Sequence, residues 1–187
     1  MKYLIVGIGN KGEEYAETRH NIGFKVAEKI AEKLEVPFKS SNFGLLAEGK
    51  YKGRKVFVLK PDTYVNLSGN AVKFWMQKEN IPLENILVIT DDLALPFGSL
   101  RMKMKGSHGG HNGLRNIEAV LNTNLYTRLR FGIAAEFKEG QQVDYVLGQW
   151  NEAEKEKLSE RIEKFSQAAL SFVFAGIQNT MTGFNGK

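Results

Sequence analysis

The chain contains no cysteine at all. That excludes disulfides, thiolate metal sites and a cysteine nucleophile, and it fits a reducing, cytoplasmic setting. Proline is nearly as scarce, at 4 in 187 residues, and the 25% of charged residues are spread along the sequence, so no disordered tract is expected. No apolar run approaches the roughly 18–20 residues needed to span a membrane. The amino terminus enters strand-like sequence with neither a basic n-region nor an apolar h-region, so no signal peptide is predicted. There is no G-x-S-x-G elbow, and a covalent acyl-enzyme therefore lacks an obvious nucleophile. Internal repeats, low-complexity tracts and convincing linkers are also missing.

What is present suits one globular unit. A hydrophobic content of 42% in 187 residues is enough for one well-buried core and short for two, so residues 1–187 are read as a single domain. A net charge of +5 and a pI near 9.3 favour an anionic partner, nucleic acid included, without requiring one.

The stretch Met1–Phe24 organises the rest. Tyr3–Val6 reads as a buried strand, after which glycines are expected to turn the backbone sharply. Asn10, Tyr15 and the tetrad Thr18-Arg19-His20-Asn21 follow, just before an amphipathic helix predicted from Asn21 to Glu35 by the spacing of Val26, Ala27, Ile30, Ala31 and Leu34. Two strands joined by a Lys52-Gly53-Arg54 turn come next, over Leu45–Tyr51 and Lys55–Leu59. Asp62–Leu67 is read as a loop, with Ser68 as N-cap of a helix carrying Ala71, Val72, Trp75 and Met76. Ile86–Thr90 is apolar throughout, as a central strand covered on both faces must be, and it runs into Asp91-Asp92. Ser99–Lys105 alternates, with Leu100, Met102 and Met104 on one face and Arg101, Lys103 and Lys105 on the other. A glycine-rich loop over Gly106–Gly113 leads into a short helix ending near Asn122, and Arg128–Ala134 looks like a further strand. Glu136–Gln142 is read as a polar loop. Asn151 and Glu154 form an N-x-x-E capping box that opens a long helix covering one sheet face.

Polar residues set where strands give way to helices face the open crevice of an α/β sheet, which makes His20 the first candidate for chemistry. Asp91 ends a neighbouring central strand. An Asp–His pairing across the two strand ends would fix the imidazole tautomer and stabilise the imidazolium formed when its other nitrogen takes a proton. Asn10, Asn66 and Asn112 each offer amide donors and an acceptor near that crevice. Gly7-Ile8-Gly9-Asn10-Lys11-Gly12 matches G-x-G-x-x-G, but the helix begins too late and a hairpin follows it, so dinucleotide binding is not expected. His108-Gly-Gly-His111 with Asp91 and Asp92 resembles an incomplete metal-ligand set. A glycine loop is a poor frame for two ligands, and no third stands at a diagnostic spacing, so no metal is expected. The residues alone thus reach a hydrolase with a histidine-activated water in a basic, asparagine-lined cleft.

Four motifs in register carry a more specific resemblance: G-x-G-N-x-G-x-x-Y-x-x-T-R-H-N-x-G-F at Gly7–Phe24, K-P-x-T-Y-x-N-x-S-G at Lys60–Gly69, D-D-L at Asp91–Leu93 and G-S-H-G-G-H-N-G-L at Gly106–Leu114. The chain resembles the bacterial-type peptidyl-tRNA hydrolase family over nearly its whole length. The resemblance implies an α/β fold, a single-domain three-layer sandwich with a mixed twisted sheet flanked by helices. It implies an enzyme that cleaves the ester between a peptide and the terminal ribose of tRNA, acting in the cytoplasm as a monomer without cofactor or metal. By motif position His20 would be the general base, supported by Asp91, and Asn10 would bind near the scissile ester. Tyr15, Tyr64, Asn66 and Asn112 would hold the tRNA 3′ end and adjoining peptide, with Asn66 and Asn112 also available to the oxyanion and His111 beside them. Lys103 and Arg130 match positions that grip tRNA phosphate. Two departures stand out: Lys11 where the family usually has proline, and Ala94 where it commonly has an acid. The rival reading is a catalytically silent RNA-binding module, which would need Lys103 and Arg130 but not His20 with Asp91.

Overall fold

The computed structural model describes residues 1–134 and 140–187, so the polar loop expected from Glu136 lies outside the described residues as far as 139. The strands are β1 (Lys2–Gly7), β2 (Lys39–Ser41), β3 (Gly44–Tyr51), β4 (Arg54–Pro61), β5 (Ile86–Pro96), β6 (Leu100–Lys103) and β7 (Thr127–Ala134). They form one sheet in the order β2-β3-β4-β1-β5-β7-β6. The four central strands run parallel, while β2, β3 and β6 pair antiparallel, so the sheet is mixed.

Alternation along the central strands explains why they read as continuous apolar runs. Tyr3 and Ile5 of β1, with Leu87 and Ile89 of β5, pack towards α1 (Ile22–Lys33) and α5 (Glu152–Ala175). Leu4, Val6, Ile86 and Val88 point the other way, into a core closed by α2 (Gly69–Lys78) and α3 (Asn112–Leu121). The result is a single α/β domain of three layers, as expected. Among the described residues no helix is long and apolar enough to cross a membrane.

Local signals mostly held. The β3–β4 turn is two residues, Lys52 and Gly53, both at positive φ (48° and 83°), and Tyr51 pairs with Arg54. That is the turn whose twist matches a hairpin. The capping box is complete, with Asn151 Oδ1 accepting from Glu154 N and Glu154 Oε1 accepting from Asn151 N. Three expectations need correction. Ser68 stands at the N-cap position of α2 as expected, but its side chain does not cap the helix: its backbone is already helical, after a 3-10 turn over Val65–Leu67, and its buried hydroxyl donates to the Val65 carbonyl. Met104 does not share the buried face of Leu100 and Met102, because β6 ends at Lys103 and Met104 is exposed.

Gly7 and Gly9, the third correction, are not turn residues; in that stretch only Gly12 has a left-handed φ, at 106°. They are needed for close approach instead. A Cβ on Gly7 would lie 2.1 Å from the carbonyl oxygen of Gly23, and one on Gly23 would lie 2.6 Å from those of Ile8 and Ile89. The first turn of α1 is therefore pressed directly onto the ends of β1 and β5, which brings His20, two residues before the helix, over the carboxyl end of β5.

Elements that periodicity did not disclose are β2, α4 (Gln142–Val146) and α6 (Ile177–Phe184). Beyond α6, Asn185 exchanges hydrogen bonds with the backbone of Met102 and so shields the edge strand β6.

Candidate active site

The parallel strands β1, β5 and β7 end on one side of the sheet, and a cleft of about 750 Å³ opens there. Asp91 lies at its floor. The strand continues past Asp91 to Pro96, but with a register shift against β7 after Asp92, so the backbone leaves the ladder where the cleft begins. Asp91 is 4% exposed and both of its oxygens face histidines. His20 Nδ1 lies 2.8 Å from Oδ2, and His111 Nε2 lies 2.8 Å from Oδ1. The two rings are 5.2 Å apart.

Electrostatics follow from that arrangement. Burial alone would push the Asp91 carboxyl up, but the charges and hydrogen bonds of His20 and His111 outweigh it and hold the group well below the usual carboxylate range. Burial likewise works against the His20 imidazolium, yet the charge and hydrogen bond of Asp91 prevail, and the pKa rises above the ordinary 6.5. Asp91 is thus an anion at neutral pH, His20 Nδ1–H donates to it, and Nε2 of His20 is left as an acceptor.

His111 is held differently. It is the N-cap of α3, and its Nδ1 accepts from the backbone N–H groups of Gly113 (3.1 Å) and Leu114 (3.3 Å). Its proton therefore sits on Nε2, which donates to Asp91, with the Thr90 hydroxyl also 2.8 Å from that nitrogen. The 3-10 turn bearing His20 (Arg19–Asn21) is fixed from behind. Arg19 donates to Glu154 Oε1 (3.0 Å) and to the Tyr145 carbonyl, and its guanidinium lies over the Tyr145 ring.

Asn10 is anchored on both sides. Its backbone exchanges hydrogen bonds with the Asn21 side chain at 2.8 and 2.9 Å, and its Oδ1 accepts from Val65 N at 2.8 Å. The amide NH2 is what remains for the cleft. Tyr64, Asn66, Asn112 and Arg130 also line it, as do Leu93, Val143, Val146 and Leu147, which make an apolar wall. Arg130 is pre-oriented by Asp92 (3.4 Å) and the Ser107 carbonyl (3.1 Å). Eight of the ten residues singled out in the sequence thus come together. Tyr15 stands outside the lining and packs edge-on against Tyr64, with ring centroids 6.4 Å apart. Lys103 lies off the cleft on β6, opposite Arg128.

As to a metal, the donor atoms of His20, Asp91 and His111 lie within 4.8 Å of one another, whereas His108 is not among them. His108 Nδ1 accepts from Gly110 N within its own loop. Of the two histidines weighed and set aside as ligands in the sequence, only His111 joins this group, and its companion imidazole is His20. Both carboxylate oxygens already accept imidazole N–H groups, which describes a hydrogen-bonded triad. Thr90, Asn21 and Arg19 are the positioning residues that sequence reasoning missed. Thr90 had left a signal, a hydroxyl closing an otherwise apolar strand beside a carboxylate.

Fold and site together define a class: a three-layer α/β hydrolase with an imidazole–carboxylate centre in an asparagine-lined cleft at the ends of its parallel strands. The sequence profile described as peptidyl-tRNA hydrolase matches residues 4–187. A peptidyl-tRNA hydrolase of Bacteroides fragilis is 54% identical over 187 residues, all of both chains, and one of Phocaeicola vulgatus is 53% identical over the same span. The crystal structure of peptidyl-tRNA hydrolase from Acinetobacter baumannii superposes with a TM-score of 0.91 at 34% identity, covering 99% of this chain and 96% of that one. The chain belongs to the peptidyl-tRNA hydrolase family.

Proposed function

We propose that this enzyme hydrolyses the ester joining a peptide's carboxyl end to the terminal ribose of tRNA, releasing the peptide and free tRNA for translation. One observation carries the chemistry: His20 spends Nδ1 on Asp91 and keeps Nε2 as a base at a cleft wall. Water gives a proton to His20 Nε2 as its oxygen bonds to the ester carbonyl carbon. The Asp91 carboxylate stabilises the imidazolium so formed. When the carbon–oxygen bond to the ribose breaks, the same proton passes to the departing ribose oxygen.

The amide NH2 of Asn10, with Asn66 and Asn112, supplies donors for the ester and for the oxyanion that develops on it. Tyr64, steadied by Tyr15, flanks the 3′ end. The apolar wall around Val143 and Leu147 suits peptide side chains. Arg130 and Lys103 take tRNA phosphate, Arg130 in an orientation fixed beforehand. The enzyme acts as a cytoplasmic monomer of one domain, and it needs no metal, since a cation on His111 Nε2 would have to displace the proton that Asp91 already accepts. A silent RNA-binding module would have no use for the His20–Asp91 pair.

The test is release of a labelled N-acyl-aminoacyl group from tRNA by enzyme exhaustively treated with EDTA, with magnesium restored for the tRNA. Full activity is expected. A strict need for added zinc or manganese would overturn the metal-free mechanism, and no turnover under either condition would overturn the function.

A further inference from the structure

A second cavity, of about 530 Å³, lies far from the cleft between the tip of the β3–β4 hairpin and the carboxyl-terminal part of α5. The strands locate it. β4 leaves the tip at Arg54 and reaches the cleft side at Pro61, so at about 3.3 Å per residue the two sites are roughly 20–25 Å apart. Leu170, Phe174 and Phe184 give it apolar walls; Lys52 gives it a cation free among the described residues, while Lys33 and Gln167 are both bonded to Glu163.

Its rim is basic and aromatic. Lys52 and Arg54 stand at the hairpin tip on the Phe174 side, whereas Lys50 and Lys55, a cross-strand pair, point to the other face of the sheet, where Glu48 lies 3.8 Å from Lys55. Neither Lys52 nor Arg54 has an acidic partner among the described residues. Phe174 is 47% exposed, with Lys52 Nζ 4.2 Å and Arg54 Cζ 5.1 Å from its ring centre. Apolar burial does not hold a half-exposed phenyl ring at this position, and it lies beside cations spaced along a two-residue turn.

We propose that this cavity is a second RNA site, which takes one unstacked base of a single-stranded segment against Phe174 while Lys52 and Arg54 hold the flanking phosphates. A stacking face inside a basic groove is the combination by which single-stranded nucleic acid is bound without base-specific readout. A cavity of this volume accepts a nucleotide-sized group. An anionic membrane surface would meet the same cations, but among the described residues Phe174 is the one large apolar side chain exposed at this rim, too little to enter a bilayer. The site stands independently of the reading of the catalytic cleft.

The wild-type enzyme is irradiated with a ten-nucleotide single-stranded RNA carrying 4-thiouridine, and cross-linked peptides are mapped. Cross-links to residues 50–54 and 170–175 are expected, in addition to any in the cleft. In parallel, anisotropy of a fluorescent version is followed against salt for Lys52→Asn/Arg54→Gln/Phe174→Ser, in which asparagine keeps the left-handed turn. Loss of two phosphate contacts should weaken binding at least fivefold and make the log–log salt slope shallower by roughly 1.4. Hydrolysis of a short 3′-fragment ester should be unchanged, which also shows that the variant is folded. Cross-links confined to the cleft, an unchanged salt slope, or variant-sensitive binding to phosphatidylserine vesicles without binding to the RNA would each overturn the proposal.

Discussion

Two histidines share one carboxylate, and their surroundings give them different work. Both precede a helix and both bond to Asp91 at 2.8 Å, one on each oxygen. What separates them is the second nitrogen. At His111 it accepts two backbone N–H groups at the start of α3, so the ring has no lone pair left. At His20 nothing in the described residues occupies Nε2, and the ring lines the cleft. Pairing with an acid therefore does not make a histidine a base; the free nitrogen does.

Replacing the two residues should break the comparison most sharply. His20→Ala should lower turnover by ~10²–10⁴, the usual range for a general base, with tRNA affinity little changed. A variant keeping more than about a tenth of the activity would show that His20 is not the base. Asp91→Asn should cost less, roughly ten- to a hundredfold, since the base itself remains. It should also move the acidic limb of the kcat/KM profile: in the wild type the limb lies above pH 6.5, and without the carboxylate burial alone acts, so it should fall below that value. An unchanged limb would mean that Asp91 does not support His20.

His111→Asn should have a milder effect, about tenfold or less, because asparagine can still cap α3 while losing the donor to Asp91. His111→Ala should in addition lose the cap, seen as roughly 1 kcal/mol of stability in denaturant titrations. If His111→Asn matched His20→Ala in turnover, the division of labour would fail.

The smallest effect concerns stability against pH. The raised His20 pKa contributes stability that is complete below the unfolded value near 6.5 and lost as pH rises through the folded value. The depressed Asp91 pKa contributes stability that is present above the unfolded value near 3.8 and lost only as pH falls through the folded one. The wild type should therefore exceed His20→Gln in Tm most between about pH 4 and 6.5, by roughly 2–4 °C, and the gap should narrow towards pH 9. A gap that widened with pH would reverse the assigned signs.

Much of the cleft was legible because its residues sit where local rules already point. His20 and Asp91 stand at the ends of apolar runs, and the parallel sheet brings such ends together. The hairpin and the capping box rest on residues three or fewer apart. What escaped depended on long-range approach. Nothing local tells a glycine needed for φ from one needed for clearance, and Gly7 is of the second kind only because Gly23 lies against it. Ser68 carried a cap-like sequence, but the 3-10 turn before it had already continued the helix backwards. Asn21 and Arg19 acquire their tasks from Asn10 and Glu154, partners that chain position alone does not name.

The Arg19–Glu154 pair has a consequence for the order in which the enzyme becomes complete. It joins residues 135 positions apart, and behind it stands the turn that carries His20. Domains are made from the amino terminus onward at about 5–20 residues per second, so roughly 7–27 s separate the synthesis of the two partners. In that interval the histidine already exists but its support does not. A growing copy of this chain is itself a peptide esterified to tRNA, and the enzyme's own cutting centre closes only after most of that peptide has been made.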